Sequence, residues 1–132
     1  VQHILTKGDP TSVGRYVTKE PAAFVGRTKQ ILLQEAINDG TVPNMTTEHL
    51  ARSLALPLLK PFVTEIWGLA QLDAPAEKLG IFQYDPADHN FIFDFSDTPV
   101  GKSGARARKQ VATFVKTWFD TGTGQIINPP AQ

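Results

Sequence analysis

The sequence predicts a mostly helical α+β domain: three helices packed as a core, closed by a β-hairpin at about residues 81–95 and followed by a C-terminal helix. Apolar residues recur at helical spacing through Phe24, Ile31, Leu32 and Ala36, and again through Leu50, Leu54, Phe62, Ile66 and Leu69. The period then drops to two in GIFQYDPADHNFIFDFS, where Phe91, Phe93 and Phe95 alternate with Ile92 and Asp94. Helical spacing returns in ARARKQVATFVKTWF.

The first helix is expected over 21–39, with Pro21 in its first turn and Asn38-Asp39-Gly40 closing it. A short helix follows, with Thr46 as N-cap, Glu48 in the first turn, and Met45 and Leu50 as a hydrophobic staple. Pro57 stops it. The next helix is expected to start near Lys60 and run to Leu72, with Phe62, Ile66 and Leu69 on one stripe. Asp85-Pro86-Ala87-Asp88-His89-Asn90 supplies the turn of the hairpin. The last helix carries Val111, Phe114, Val115, Trp118 and Phe119 as its apolar stripe and ends at Gly122. Residues 1–20 read as an irregular lead-in, 21–121 as the folded domain and 122–132 as a tail.

With 132 residues and 41% hydrophobic content, one globular domain can bury a core. Lys plus Arg and Asp plus Glu number 13 each, so no strong overall field advertises nucleic acid. The chain has no cysteine, which excludes disulfides and thiolate zinc sites and fits a cytoplasmic setting. VQHILTKGDP lacks the apolar run of a signal peptide, and LALPLLKPFV is too short and too broken to span a bilayer. A start at Val1 and an end at INPPAQ suggest a processed chain or a piece of a longer protein.

The stretch TEHLARSLALP followed by FVTEIWGLAQL resembles the helix-turn-helix core of the winged-helix superfamily, with small Ala51 allowing close helix packing. The resemblance implies that 81–95 is the wing. It also implies a nucleic-acid-binding domain within a larger regulatory, replication or mobile-element protein. Lys60 and Thr64 would then face the groove, and His89 and Asn90 at the wing tip would touch phosphate. Lys102, Arg106, Arg108 and Lys109 supply a local basic patch for duplex DNA, with Lys102, Arg106, Lys109 and Lys116 near one face of the last helix. Acidic Glu65 on the reading helix argues against base recognition. The alternative is a winged-helix module for dimerisation or for docking on a neighbouring domain, without DNA.

Ser96–Gly104, SDTPVGKSG, approaches the phosphate-binding pattern G-x-x-x-x-G-K-[ST], but Ser96 stands in place of the first glycine. No later apolar strand ending in Asp supplies the magnesium-binding partner, so the match reads as coincidence. Asp85, Asp88 and His89 superficially offer metal ligands, although turn formation explains all three. Three scattered histidines without a nucleophile elbow give no catalytic constellation, so neither an enzyme nor a cofactor is expected.

Overall fold

The structure, a computed structural model, describes residues 9–20 and 29–130. Four strands, β1 (Ile31–Ala36), β2 (Leu58–Lys60), β3 (Gln71–Asp73) and β5 (Leu79–Tyr84), form one wholly parallel sheet in the order β1-β5-β2-β3. Two residues each from β4 (Ala76–Glu77) and β6 (Gln125–Ile126) make a small antiparallel pair. The helices are α1 (Pro10–Val13), α2 (Arg15–Thr18), α3 (Asn44–Ser53) and α4 (Pro99–Thr121), with one 3₁₀ turn at Phe91–Phe93.

Strand side chains alternate between the two faces, and both faces are covered. Leu32, Ala36, Leu59, Phe82 and Tyr84 pack with Ala107 and Phe114 of α4. Ile31, Leu33, Leu58 and Ile81 pack instead with Ala51 and Leu54 of α3. The sheet therefore lies between α3 and α4. α1 and α2 are tied to the end of α3, where Thr18 donates to the Leu54 carbonyl at 2.7 Å and Ser53 to the Thr11 carbonyl at 2.5 Å.

The winged-helix architecture is corrected by this sheet. The part of the first expected helix that falls on 21–28 lies outside the described residues. Residues 31–36 form β1, because a strand buried on both faces reads as a continuous apolar run rather than an alternating one. The helix expected from Lys60 to Leu72 is instead β2, an irregular loop and β3. Pro61 ends β2, and the loop after it buries Ile66 and half-buries Phe62 and Leu69 while leaving Trp67 86% exposed, so their helical spacing marks burial without a helix.

The expected wing over 81–95 is not a hairpin. Its first half belongs to β5, the strand between β1 and β2, and its second half holds the 3₁₀ turn. Only Phe91 of the three alternating phenylalanines is buried; Phe93 and Phe95 are 73% and 77% exposed. α3 is present but starts two residues before Thr46, after Pro43, and exposed Met45 makes no staple. The C-terminal helix is present and begins earlier, at Pro99, with Thr98 as its cap. Gly122 closes it in the left-handed region at φ 79°. Val115, Trp118 and Phe119, expected in the core, are exposed on its last turns. Among the described residues no helix is long and apolar enough to cross a membrane.

Candidate functional site

The connections leaving β1 and β5 run to opposite faces of the sheet, one to α3 and the other to α4. Adjacent parallel strands whose connections diverge leave a crevice at their carboxyl ends, the usual ligand position in open parallel sheets. Here the crevice contains a cavity of about 190 Å³ lined by Glu35, Asp39, Asn44, Thr47, His89 and Phe91, among others.

Glu35 lies at its base, and Gln83 stands beside Glu35 in the sheet. They are register partners on β1 and β5, on the α3 face of the sheet, and only 2% and 3% exposed. Gln83 Nε2 donates to Glu35 Oε2 at 3.0 Å, and Asn44 Nδ2 to Glu35 Oε1 at 3.1 Å. Both amides are locked by backbone groups. Gln83 Oε1 accepts from the N–H groups of Val63 and Thr64, each at 2.9 Å, while Asn44 Oδ1 accepts from the Asn38 N–H at 3.0 Å. Burial pushes the Glu35 carboxyl above its ordinary range; the Gln83 and Asn44 donors oppose this, and nearby Glu48 adds to it.

Asp39, in the loop after β1, meets His89, in the loop after β5, with Nδ1 and Oδ2 2.9 Å apart. The other Asp39 oxygen accepts from the N–H groups of Thr41 and Val42 at 2.7 and 3.0 Å. The hydrogen bond from His89 is the main reason that Asp39 titrates below its ordinary value. An ionised Asp39 can only accept, so His89 Nδ1 carries the proton and Nε2 is left as the second ring nitrogen for exchange. The imidazole is 43% exposed and the Asp39 side chain 12%, so the dyad is half open to solvent.

Of the residues expected to contact nucleic acid, His89 alone reaches this crevice. Lys60 pairs with Asp73 at 3.9 Å beside an open depression of about 490 Å³ at the ends of β2 and β3. That depression is larger, yet it contains no histidine and no buried carboxyl. The Thr64 N–H is spent on Gln83, and the Asn90 N–H on Asp88 Oδ1 in the turn. Arg106 lies over the Tyr84 ring and donates to the Pro129 carbonyl and Asn128 Oδ1 at 3.2 and 3.3 Å. Arg108 donates to the carbonyls of Ile92 and Asp94 at 2.6 and 2.9 Å, and stacks on Phe95. Lys102 and Lys109 are exposed on α4.

The SDTPVGKSG stretch also has a structural explanation. A Cβ on Gly101 would overlap the Ser96 carbonyl, and one on Gly104 the Phe91 carbonyl, so both glycines let the preceding loop fold against α4. Thr98 accepts from the Gly101 N–H at 3.1 Å, which occupies part of the helix start that a phosphate would use. Among the described residues no cluster of three His, Asp or Glu side chains is arranged to hold a metal ion.

Sequence reasoning singled out His89 but missed its partners. The available signal was polar residues inside strand-like apolar runs: Gln34-Glu35 in ILLQEA and Gln83 in IFQY. Comparison with family models, curated proteins and solved structures finds no match, so the reading of this site rests on its geometry.

Proposed function

We propose that the chain is a small acid–base enzyme working at the crevice between β1 and β5. His89 Nε2 exchanges a proton with a small polar substrate, Asp39 orients the ring and balances the imidazolium, and Glu35 supplies a second carboxyl from the cavity base. Asn44 and Gln83 act as positioning residues for Glu35. The observation that carries this reading is the 2.9 Å Asp39–His89 contact, which joins the two diverging loops above a buried glutamate.

Two measurements test it. The ¹⁵N shifts of neutral His89 should show the Nδ1–H tautomer, and Asp39→Asn should abolish that preference. A panel of small ester, amide and isomerisable carbonyl substrates should then yield turnover that His89→Ala removes. A dominant Nε2–H tautomer in the native protein, or no His89-dependent turnover in the panel, defeats the proposal.

A second reading, contact with duplex DNA, is favoured by a single observation. Lys102 and Lys109 stand two turns apart on α4, exposed and without an ion-pair partner among the described residues.

A further inference from the structure

We infer that the crevice selects a nitrogen cation, an ammonium, amidinium or guanidinium group, as the part of the substrate that enters the cavity beside Glu35 and Asp39. This rests on the acid–base reading of the same crevice and adds the chemical class of its ligand.

The side-chain amide donors of the lining are filled, and several of its acceptors are not. Asn44 has two amide hydrogens, and both are used, one on Glu35 Oε1 and one on the Ala36 carbonyl at 2.7 Å. Gln34 spends its two on the Ala107 carbonyl and Gln110 Oε1, on the α4 face of the sheet. The N–H groups of Thr41 and Val42 go to Asp39 Oδ1, and His89 Nδ1 to Asp39 Oδ2. Among the lining side chains this leaves the Thr47 hydroxyl as the remaining neutral donor. Acceptors remain in excess: each Glu35 oxygen keeps a second lone pair, and His89 Nε2 has no partner among the described residues.

Charge points the same way. The lining includes two carboxylates and no lysine or arginine, and Glu48 on α3 adds a further negative charge towards Glu35. Glu48 is itself paired with Arg52 at 3.7 Å, so that guanidinium is engaged one turn along α3. A phosphate or carboxylate entering the cavity would meet like charge and filled donors. A nitrogen cation would meet the unfilled acceptors, where charge-assisted hydrogen bonds are strongest.

The test is a chemical-shift titration of the full chain with methylammonium and methylguanidinium chloride, with acetate and phosphate as counter-probes. The signals followed are the His89 ring and the amides of Asp39 and Asn44. Saturable shifts with one or both cations and none with the anions are expected, with affinity about tenfold weaker in Asp39→Asn and Glu35→Gln. Glu35→Gln sets an amide donor against the locked Asn44 or Gln83 donor and can unfold the site. Asp39→Asn keeps an oxygen for Thr41 and Val42 and so carries the test alone if needed.

Saturation by the anions instead, saturation by no probe, or cation shifts unchanged in both variants would overturn the inference. A capped Gly-Arg-Gly peptide distinguishes the source of the cation. Binding at least as tight as methylguanidinium assigns it to a polypeptide side chain, and weaker binding to a free small molecule. The His89 tautomer keeps the two readings apart: no cation binding with Nδ1–H intact removes only the ligand class, whereas loss of that tautomer removes the acid–base site itself.

Discussion

Gln83 and Glu35 stand opposite each other in the β5–β1 register, and Gln83 holds Glu35 Oε2 at 3.0 Å with one end of its amide. The other end accepts two backbone N–H groups from the loop after β2. One buried side chain thus fixes both the carboxyl at the cavity base and the path of residues 61–70. Replacing it with leucine keeps the approximate volume and removes every one of these bonds. Gln83→Leu is expected to lower stability by about 3 kcal/mol, because two N–H groups and a buried carboxyl lose their partner together. Urea unfolding measures this, with the midpoint shifted and the slope unchanged. A loss below about 1 kcal/mol would mean that water replaces Gln83 at little cost.

Glu35 and Asp39 should give the protein opposite pH responses. The Glu35 carboxyl is raised from 4.5 chiefly by burial, so the folded state holds its proton longer than the unfolded state does. Below 4.5 both states are protonated and its contribution is complete; as pH climbs from there towards the folded value, the contribution is lost. Asp39 is lowered from 3.8 chiefly by the His89 hydrogen bond. Its contribution is complete above 3.8 and is lost as pH falls through the folded value. The groups facing Glu35 are Asn44 and Glu48 from α3, Gln83 from β5, and Asp39 and His89 across the cavity. Stability of the native protein relative to Glu35→Gln is therefore expected to fall from pH 4.5 upward and then level off. Relative to Asp39→Asn, it should fall below pH 3.8. A rise in the first difference with increasing pH would contradict the burial argument.

What the sequence made legible was local. α4 has a long apolar period and a terminal glycine, and it forms where those signals place it, although it begins earlier, at Pro99, and leaves Val115, Trp118 and Phe119 exposed. The parallel sheet was not legible, because its strands lack the alternation that marks a half-exposed one. Ile31-Leu32-Leu33 is apolar on both faces, and Gln34-Glu35 then imitates the polar side of a helix. β2 is three residues long, too short to have a period. The phenylalanine alternation at 91–95 misled for the opposite reason, since Phe95 is held outside as a platform for Arg108. The site depends on pairings 48 and 50 residues apart, which strand register creates and local spacing cannot show.

The glycines of SDTPVGKSG provide a test that separates packing from phosphate binding. In an exposed helix, Gly→Ala gains about 1 kcal/mol. At Gly104 the new methyl would meet the Phe91 carbonyl, and at Gly101 the Ser96 carbonyl, both main-chain atoms that cannot swing aside. Each substitution is therefore expected to destabilise by about 2 kcal/mol or more despite the better helix propensity. Thermal unfolding reads this without any ligand. A Gly104→Ala protein as stable as the native one would show that the loop from Phe91 to Thr98 is not packed against α4.

Arg108 and the pair Lys102 and Lys109 lie on one helix but have different surroundings, and substitution should separate their roles. Arg108 secures the 3₁₀ turn through the carbonyls of Ile92 and Asp94, with its guanidinium 4.0 Å from the Phe95 ring centroid. Arg108→Ala is expected to cost about 2 kcal/mol of stability, since charge-assisted bonds to two carbonyls and a cation–π contact go together. Lys102→Ala and Lys109→Ala touch no such contact and should stay within about 0.5 kcal/mol of the native protein. Duplex DNA binding, measured by anisotropy across a salt series, would depend on the lysines, each reducing the salt slope by about one. If Arg108→Ala flattens that slope while leaving stability intact, its guanidinium serves phosphate and not the turn. If no duplex changes the anisotropy at low salt, the α4 lysines are an ordinary solvated face.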